Sequence, residues 1–148
     1  MENPKYEFES TSNSTTFEFI SEGPKGRIVK IVKYTEYPDL GFYNLGFGDK
    51  LDDENDFDDK IITDNGDSVK VLATVAETIY RFTDAFPFAF VFATGNSLAR
   101  KRLYRMAISN SLNNINKDFD VLGYIGGAWE SFEKNRDYIA FLIKRKLF

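Results

Sequence analysis

Apolar and polar residues alternate along the first third of the chain. Tyr6-Glu7-Phe8-Glu9 and Thr16-Phe17-Glu18-Phe19-Ile20 both carry this period of two, the mark of strands with one buried face. Gly23-Pro24-Lys25-Gly26 has the residue chemistry of a turn and leads into Ile28, Lys30, Val32 and Tyr34, interleaved with Val29, Ile31 and Lys33. The pattern predicts a hairpin of 15–22 and 26–36. Pro38-Asp39 marks a further turn, Phe42 to Phe47 the next strand, and Lys60 to Thr63 a short strand or lead-in. The period then changes. Val69, Leu72, Val75, Ala76, Ile79 and Phe82 recur at helical spacing, predicting a helix from about Val69 to Asp84 that is capped within Asp64–Ser68.

Phe88 to Thr94 reads FAFVFAT, a continuous apolar run of strand length, and predicts a strand covered on both faces. A second helix follows from Leu98 to about Asn116, with Leu103, Ala107, Ile108, Leu112 and Ile115 on its apolar face. Asn110, Asn113, Asn114 and Asn116 weaken its last turns. Phe119–Ile125, Gly126-Gly127 and Ala128–Glu133 read as a hairpin, and Tyr138–Ile143 as a last strand. The order is ββββαβαβββ. It implies an α+β fold, a mostly antiparallel sheet of seven or eight strands with two main helices, and 148 residues imply a single domain, 1–148.

Composition sharpens this by exclusion. The chain has no Cys, so it has no disulfide, no thiolate metal site and no cysteine nucleophile. It has no His either, which removes Ser-His triads, histidine zinc sites and the usual general base. Aromatics make up 16%, with 15 Phe and 8 Tyr. They supply an ample core and leave room for a self-association surface, hence a homo-oligomer, that the sequence does not locate. The net charge of −4 is uneven: residues 1–74 carry 16 acids and 8 bases, residues 75–148 carry 7 acids and 11 bases. The acidic balance disfavours a nucleic-acid partner, although the C-terminal half could still present a basic patch. Neither a signal pattern nor a membrane-spanning apolar run is present, so the expectation is a cytoplasmic protein without membrane contact.

One stretch concentrates the candidate chemistry. After the strand at 88–94, Gly95 permits a sharp turn, Asn96 and Ser97 are good N-caps, and a basic helix begins. A helix N-terminus attracts anions, and Arg100, Lys101, Arg102 and Arg105 add positive charge beside it. The bland alternative is a capped turn and a solvated cationic face. Residues 49–59 carry seven carboxylates and one lysine. Their spacing misses the glycine and terminal glutamate of a calcium loop, so a solvated loop is expected. Trp129 lies beside a glycine turn, as a binding aromatic or as core and edge packing.

The segments EFISEGPKG (18–26), LGFGD (45–49), NGDSVKVLATVA (65–76) and ATGNSLARKRLYRM (93–106) resemble an uncharacterised bacterial domain-of-unknown-function family found mainly in Bacteroidetes. That resemblance implies a stand-alone cytoplasmic domain and carries no activity. A remoter resemblance is to the GCN5-related acetyltransferases, through Asn96, Ala99, Leu103 and Tyr104. It implies coenzyme A as cofactor, Tyr104 as general acid at the thiolate, and the turn at Asn65, Gly66 and Ser68 as the pyrophosphate cradle. The Gly-Phe usual after the Tyr is replaced by Ile108-Ser109, and of the family's glycine-rich phosphate motif only Gly66 remains.

Three functional readings therefore stand. The first is a binding domain without a cofactor, taking an acidic protein partner or a phosphate-bearing small molecule at Gly95, Asn96, Ser97, Arg100, Arg102 and Arg105, with Asn65, Gly66 and Ser68 nearby. The second is an acyltransferase-like enzyme or a degenerate relative of one. The third is a partner-binding component of a bacterial defence or toxin–antitoxin pair.

Overall fold

A computed structural model describes residues 4–11, 13–39, 41–52, 56–57, 62–94, 98–110 and 112–147; of 98–100, 112 and 113 it describes the backbone. The strands are β1 (Glu9–Ser10), β2 (Thr16–Gly23), β3 (Gly26–Tyr37), β4 (Phe42–Asp49), β5 (Phe90–Thr94), β6 (Phe119–Ile125), β7 (Ala128–Ser131) and β8 (Ala140–Arg145). The helices are α1 (Ser68–Ala85), α2 (Leu98–Asn110) and α3 (Leu112–Asp118). The strands form one sheet of eight, ordered β1-β2-β3-β4-β5-β8-β6-β7. Each neighbouring pair is antiparallel except β4 and β5, which run parallel, and α1 is the crossover that a parallel pair requires. The α+β class and the element order follow the periodicity, with the second helical stretch divided into α2 and α3.

All three helices pack on one face. Phe17, Phe19, Val32, Tyr34, Leu45, Phe47, Val91, Phe141 and Ile143 of the sheet meet Val75, Ile79 and Phe82 of α1, Tyr104 and Ile108 of α2, and Ile115 of α3. The buried stripe of α1 contains the predicted Leu72, Val75, Ala76, Ile79 and Phe82 and is wider than predicted: Val71 joins it, whereas Val69 is 51% exposed. Inward-facing threonines make the difference. Thr74, Thr78 and Thr83 are fully buried and donate their hydroxyls to the carbonyls of Lys70, Val75 and Ile79 at 2.7, 2.7 and 2.8 Å. A threonine bonded back to its own helix can occupy an apolar interface.

At the β1 edge the predicted strand over residues 6–9 shrinks to Glu9 and Ser10, paired with Glu18 and Phe17. Tyr6 and Phe8 instead lay their rings on Phe19 and Phe17, with centroids 5.7 and 5.5 Å apart. The Tyr6 hydroxyl accepts the Glu22 N–H at 3.0 Å, standing where a strand backbone would.

The β3 alternation also puts a charge inside. Lys30 shares its face with Val32 and Tyr34 and is 1% exposed. Its ammonium is paired with Asp49 and donates to the Thr63 carbonyl at 2.7 Å. Asp49 in turn accepts the Thr63 hydroxyl at 2.5 Å. A buried cation is tolerable only when its bonds are met in this way.

Candidate functional site

The residues singled out from the sequence fall at separate places. Gly95, Asn96 and Ser97, with the Arg100 side chain, lie outside the described residues. On α2, Arg102 is exposed, and Arg105 is ion-paired with the largely exposed Asp137 of the β7–β8 connection. A shallow cleft beside that pair is lined by Met106, Ser109, Asn110 and Asn135.

The turn before α1 contacts another part of the molecule, the β2–β3 hairpin. Asn65 is buried. Its amide oxygen accepts the Lys25 N–H at 2.7 Å, and its NH2 donates to the Gly26 carbonyl at 2.8 Å and to Ser21 Oγ at 3.3 Å. Its polar atoms are thereby taken up in holding the turn. Gly66, at φ +74°, donates its N–H to the Asp64 carboxylate at 2.9 Å. Ser68 is exposed at the first position of α1. Asp67 precedes it without capping the helix. Its carboxylate accepts the Tyr6 and Ser21 hydroxyls at 2.6 and 2.5 Å.

Tyr104 lies in the interior, 3% exposed. Its hydroxyl donates to the Leu45 carbonyl at 3.5 Å, beside an apolar cavity of about 20 Å³ lined by Val75, Ile79, Ala93 and Ile143 among others. That space admits about one water. Close by, burial pushes the Tyr34 phenol well above its ordinary value, against a hydrogen bond to Thr78 Oγ1 at 2.9 Å. The neighbourhood favours the neutral phenol of Tyr34. Among the described residues no group of three or more acidic side chains could hold a metal ion. Of the acidic segment, 53–55, 58 and 59 lie outside them. Lys50 and Phe57 form a bridge, and the Phe57 ring lies against Gly46, where an added Cβ would come within 2.5 Å of it.

The helix-free face of the sheet carries what the sequence did not locate. The run at 88–94 is not covered on both sides, as its composition predicts. Val91 and Ala93 point into the core, whereas Phe90 is exposed and Phe88, just before the strand, is 73% exposed. The outward residues of β5 join a line of rings that crosses the sheet. Tyr37 on β3 meets Phe42 on β4 at 5.3 Å between centroids, and Phe42 meets Phe92 on β5 at 5.3 Å. Phe92 meets Trp129 on β7 at 6.0 Å, and Trp129 meets Tyr124 on β6 at 5.1 Å.

Register explains how they converge. Asn44, Phe92, Leu142, Leu122 and Ser131 fall in one cross-strand row. Thr94, Ala140, Tyr124 and Trp129 fall in another, where Ala140 is small enough to leave room above it. The charges in register here are Lys144 and Asp120, opposite each other at one end, and Lys33 of β3, opposite Gly46. The Lys144 ammonium stands 5.5 Å from the Phe90 ring centroid. In the sequence the signal is the alternation within β3 and the continuous apolar run of β5, which predicts a strand covered on both faces.

The eight-stranded mixed sheet, with helices on one face and rings on the other, defines an α+β protein. The chain belongs to the family of unknown function DUF6934, which matches it over residues 2–146. No curated protein and no solved structure matches it.

Proposed function

We propose that this protein is a non-enzymatic interaction domain that works through the helix-free face of its sheet and needs no cofactor. The observation that carries the reading is the line of five aromatic rings, Tyr37, Phe42, Phe92, Trp129 and Tyr124, on the helix-free face, with Tyr37 and Trp129 exposed and the other three half-buried. Aromatics gathered on one helix-free face, with few charges among them, have the composition of a protein-interface core. The absence of Cys and His and the interior position of Tyr104 weigh against an acyltransferase, because a general acid must reach its substrate.

A second reading keeps the acidic or phosphate-bearing partner at the basic face of α2. Exposed Arg102 beside Arg105 supports it.

A thermal-shift panel of acetyl-coenzyme A, nucleotides and inorganic phosphate separates these readings. A ligand at about 100 times its Kd adds ~2.7 kcal/mol, or roughly 5–10 °C for a domain of this size. The interaction reading predicts no shift. A coenzyme A response would overturn it. A phosphate response abolished by Arg102→Ala would transfer the function to α2.

A further inference from the structure

Asn65-Gly66 is the one Asn-Gly step in the chain, and this dipeptide is prone to a reaction of its own. The glycine backbone nitrogen, with no Cβ beside it to crowd the approach, attacks the asparagine Cγ. The C–N bond to the side-chain NH2 breaks, ammonia leaves, and a cyclic succinimide forms. Water then opens the ring to aspartate or isoaspartate. Neither an enzyme nor a cofactor takes part.

The fold holds both reacting groups. Asn65 is 1% exposed. Its amide oxygen accepts the Lys25 N–H, and its NH2 donates to the Gly26 carbonyl and to Ser21 Oγ. All three partners belong to the β2–β3 hairpin. The nitrogen that attacks, on Gly66, instead donates its hydrogen to the Asp64 carboxylate. The fit against the hairpin is close: a Cβ added to Gly23 would stand 2.0 Å from the Asn65 carbonyl oxygen and 2.9 Å from its Cγ. Attack makes Cγ tetrahedral and expels the NH2. Close packing at Gly23 opposes the first change, and the bonds to Gly26 and Ser21 oppose the second.

We infer that Asn65-Gly66 is a self-modification site gated by this clamp, which reacts when the turn lifts from the hairpin and cannot close again afterwards. An aspartate at position 65 has no N–H to offer the Gly26 carbonyl, so two oxygens face each other where the amide made a 2.8 Å bond. The carboxylate of Asp67, bonded to the same Ser21 hydroxyl, adds a like charge nearby. A buried carboxylate so placed costs far more than the neutral amide. Isoaspartate adds a carbon to the backbone and misaligns the turn. The segment that is released carries Thr63, which bonds Lys30 and Asp49, and leads directly into α1. Conversion therefore loosens the junction of α1 with the β2–β3 hairpin, and it runs in one direction only.

Incubation at mildly alkaline pH, with mass spectrometry of the peptide spanning Asn65, tests this. The native chain should convert at least about tenfold more slowly than the same chain in urea, because the turn must open first. Gly23→Ala, whose methyl group takes the space that Asn65 occupies, should raise the native rate severalfold while circular dichroism stays that of the wild type. Ser21→Ala, a smaller lesion, should raise it less, and it carries the test if Gly23→Ala does not fold. In Asn65→Asp, backbone hydrogen exchange at 62–68 and 23–26 should be faster than in the wild type. A native rate equal to that in urea overturns the inference. So does a rate that neither variant changes, or an Asn65→Asp protein that exchanges like the wild type.

Discussion

The two faces of this sheet are made by the same strands and bury their apolar residues in different ways. The inner face is covered within the chain. Phe17, Phe47, Phe82 and Phe141 are fully enclosed by three helices, and the polar groups that enter it, Lys30 and the α1 threonines, have partners at hydrogen-bonding distance. The outer face has aromatic residues too, but no helix over them. Its rings cover one another edge to edge and remain partly wet, with Trp129 41% exposed. Hydrophobic content along a strand therefore measures how much surface must be covered. It does not say whether the cover comes from the same chain.

Substitutions separate the faces by size of effect, with stability measured by urea unfolding. Phe82→Ala, at the centre of the inner face, is expected to cost about 3–5 kcal/mol, since a large ring is lost and its cavity closes only in part. Phe92→Ala on the outer face should cost less, about 2 kcal/mol, because its half-buried ring keeps part of its surface in water. Equal costs would erase the distinction between the faces.

Asp49→Ala comes next, at about 3 kcal/mol, since it strands the enclosed Lys30 ammonium with the Thr63 carbonyl as its remaining named partner. The double variant Asp49→Ala with Lys30→Met should recover much of that loss. If it recovers nothing, the pair is not what holds the 62–68 segment to the sheet.

Alkaline pH gives a smaller, inner-face effect. Burial raises the Tyr34 phenol above its unfolded value of 10.0, and burial followed by the Asp118 contact does the same at Tyr80. The unfolded chain therefore loses these protons first. Their contribution is fully present below about pH 10 and is lost as pH rises from there through the folded-state values. With no histidine in the chain, urea midpoints should be nearly flat from about pH 6 to pH 9. Tyr34→Phe should flatten the fall above pH 10 while costing about 1 kcal/mol below it.

The smallest effect on the monomer should come from Trp129→Ala, about 0.5 kcal/mol. Its consequence lies in association, where it should weaken binding of a partner to this face.

Much of the architecture was legible because local chemistry imposes it. Gly126 and Gly127, at φ +60° and +82°, turn the β6–β7 hairpin where their dipeptide predicts, and Gly23 pairs with Gly26 across the tight β2–β3 turn. The parallel β4–β5 pairing and the insertion of β8 between β5 and β6 were not legible, since strand order is chosen by tertiary packing and leaves no local period. The candidate site was less legible still. Asn65 has the look of a ligand residue in a turn, yet its amide is occupied by Lys25, Gly26 and Ser21. Tyr104 sits in a basic helix, yet its ring belongs to the core. The rings of the outer face come from β3 to β7 and meet only after the sheet forms.

The most direct test of the outer face uses the chain's one tryptophan, Trp129, which lies within it. Its fluorescence emission can be followed in the folded protein as acrylamide is added. An open outer face predicts red emission that acrylamide quenches readily and that Tyr37→Ala, at the far end of the ring line, leaves unchanged. Blue-shifted emission that resists the quencher would contradict it.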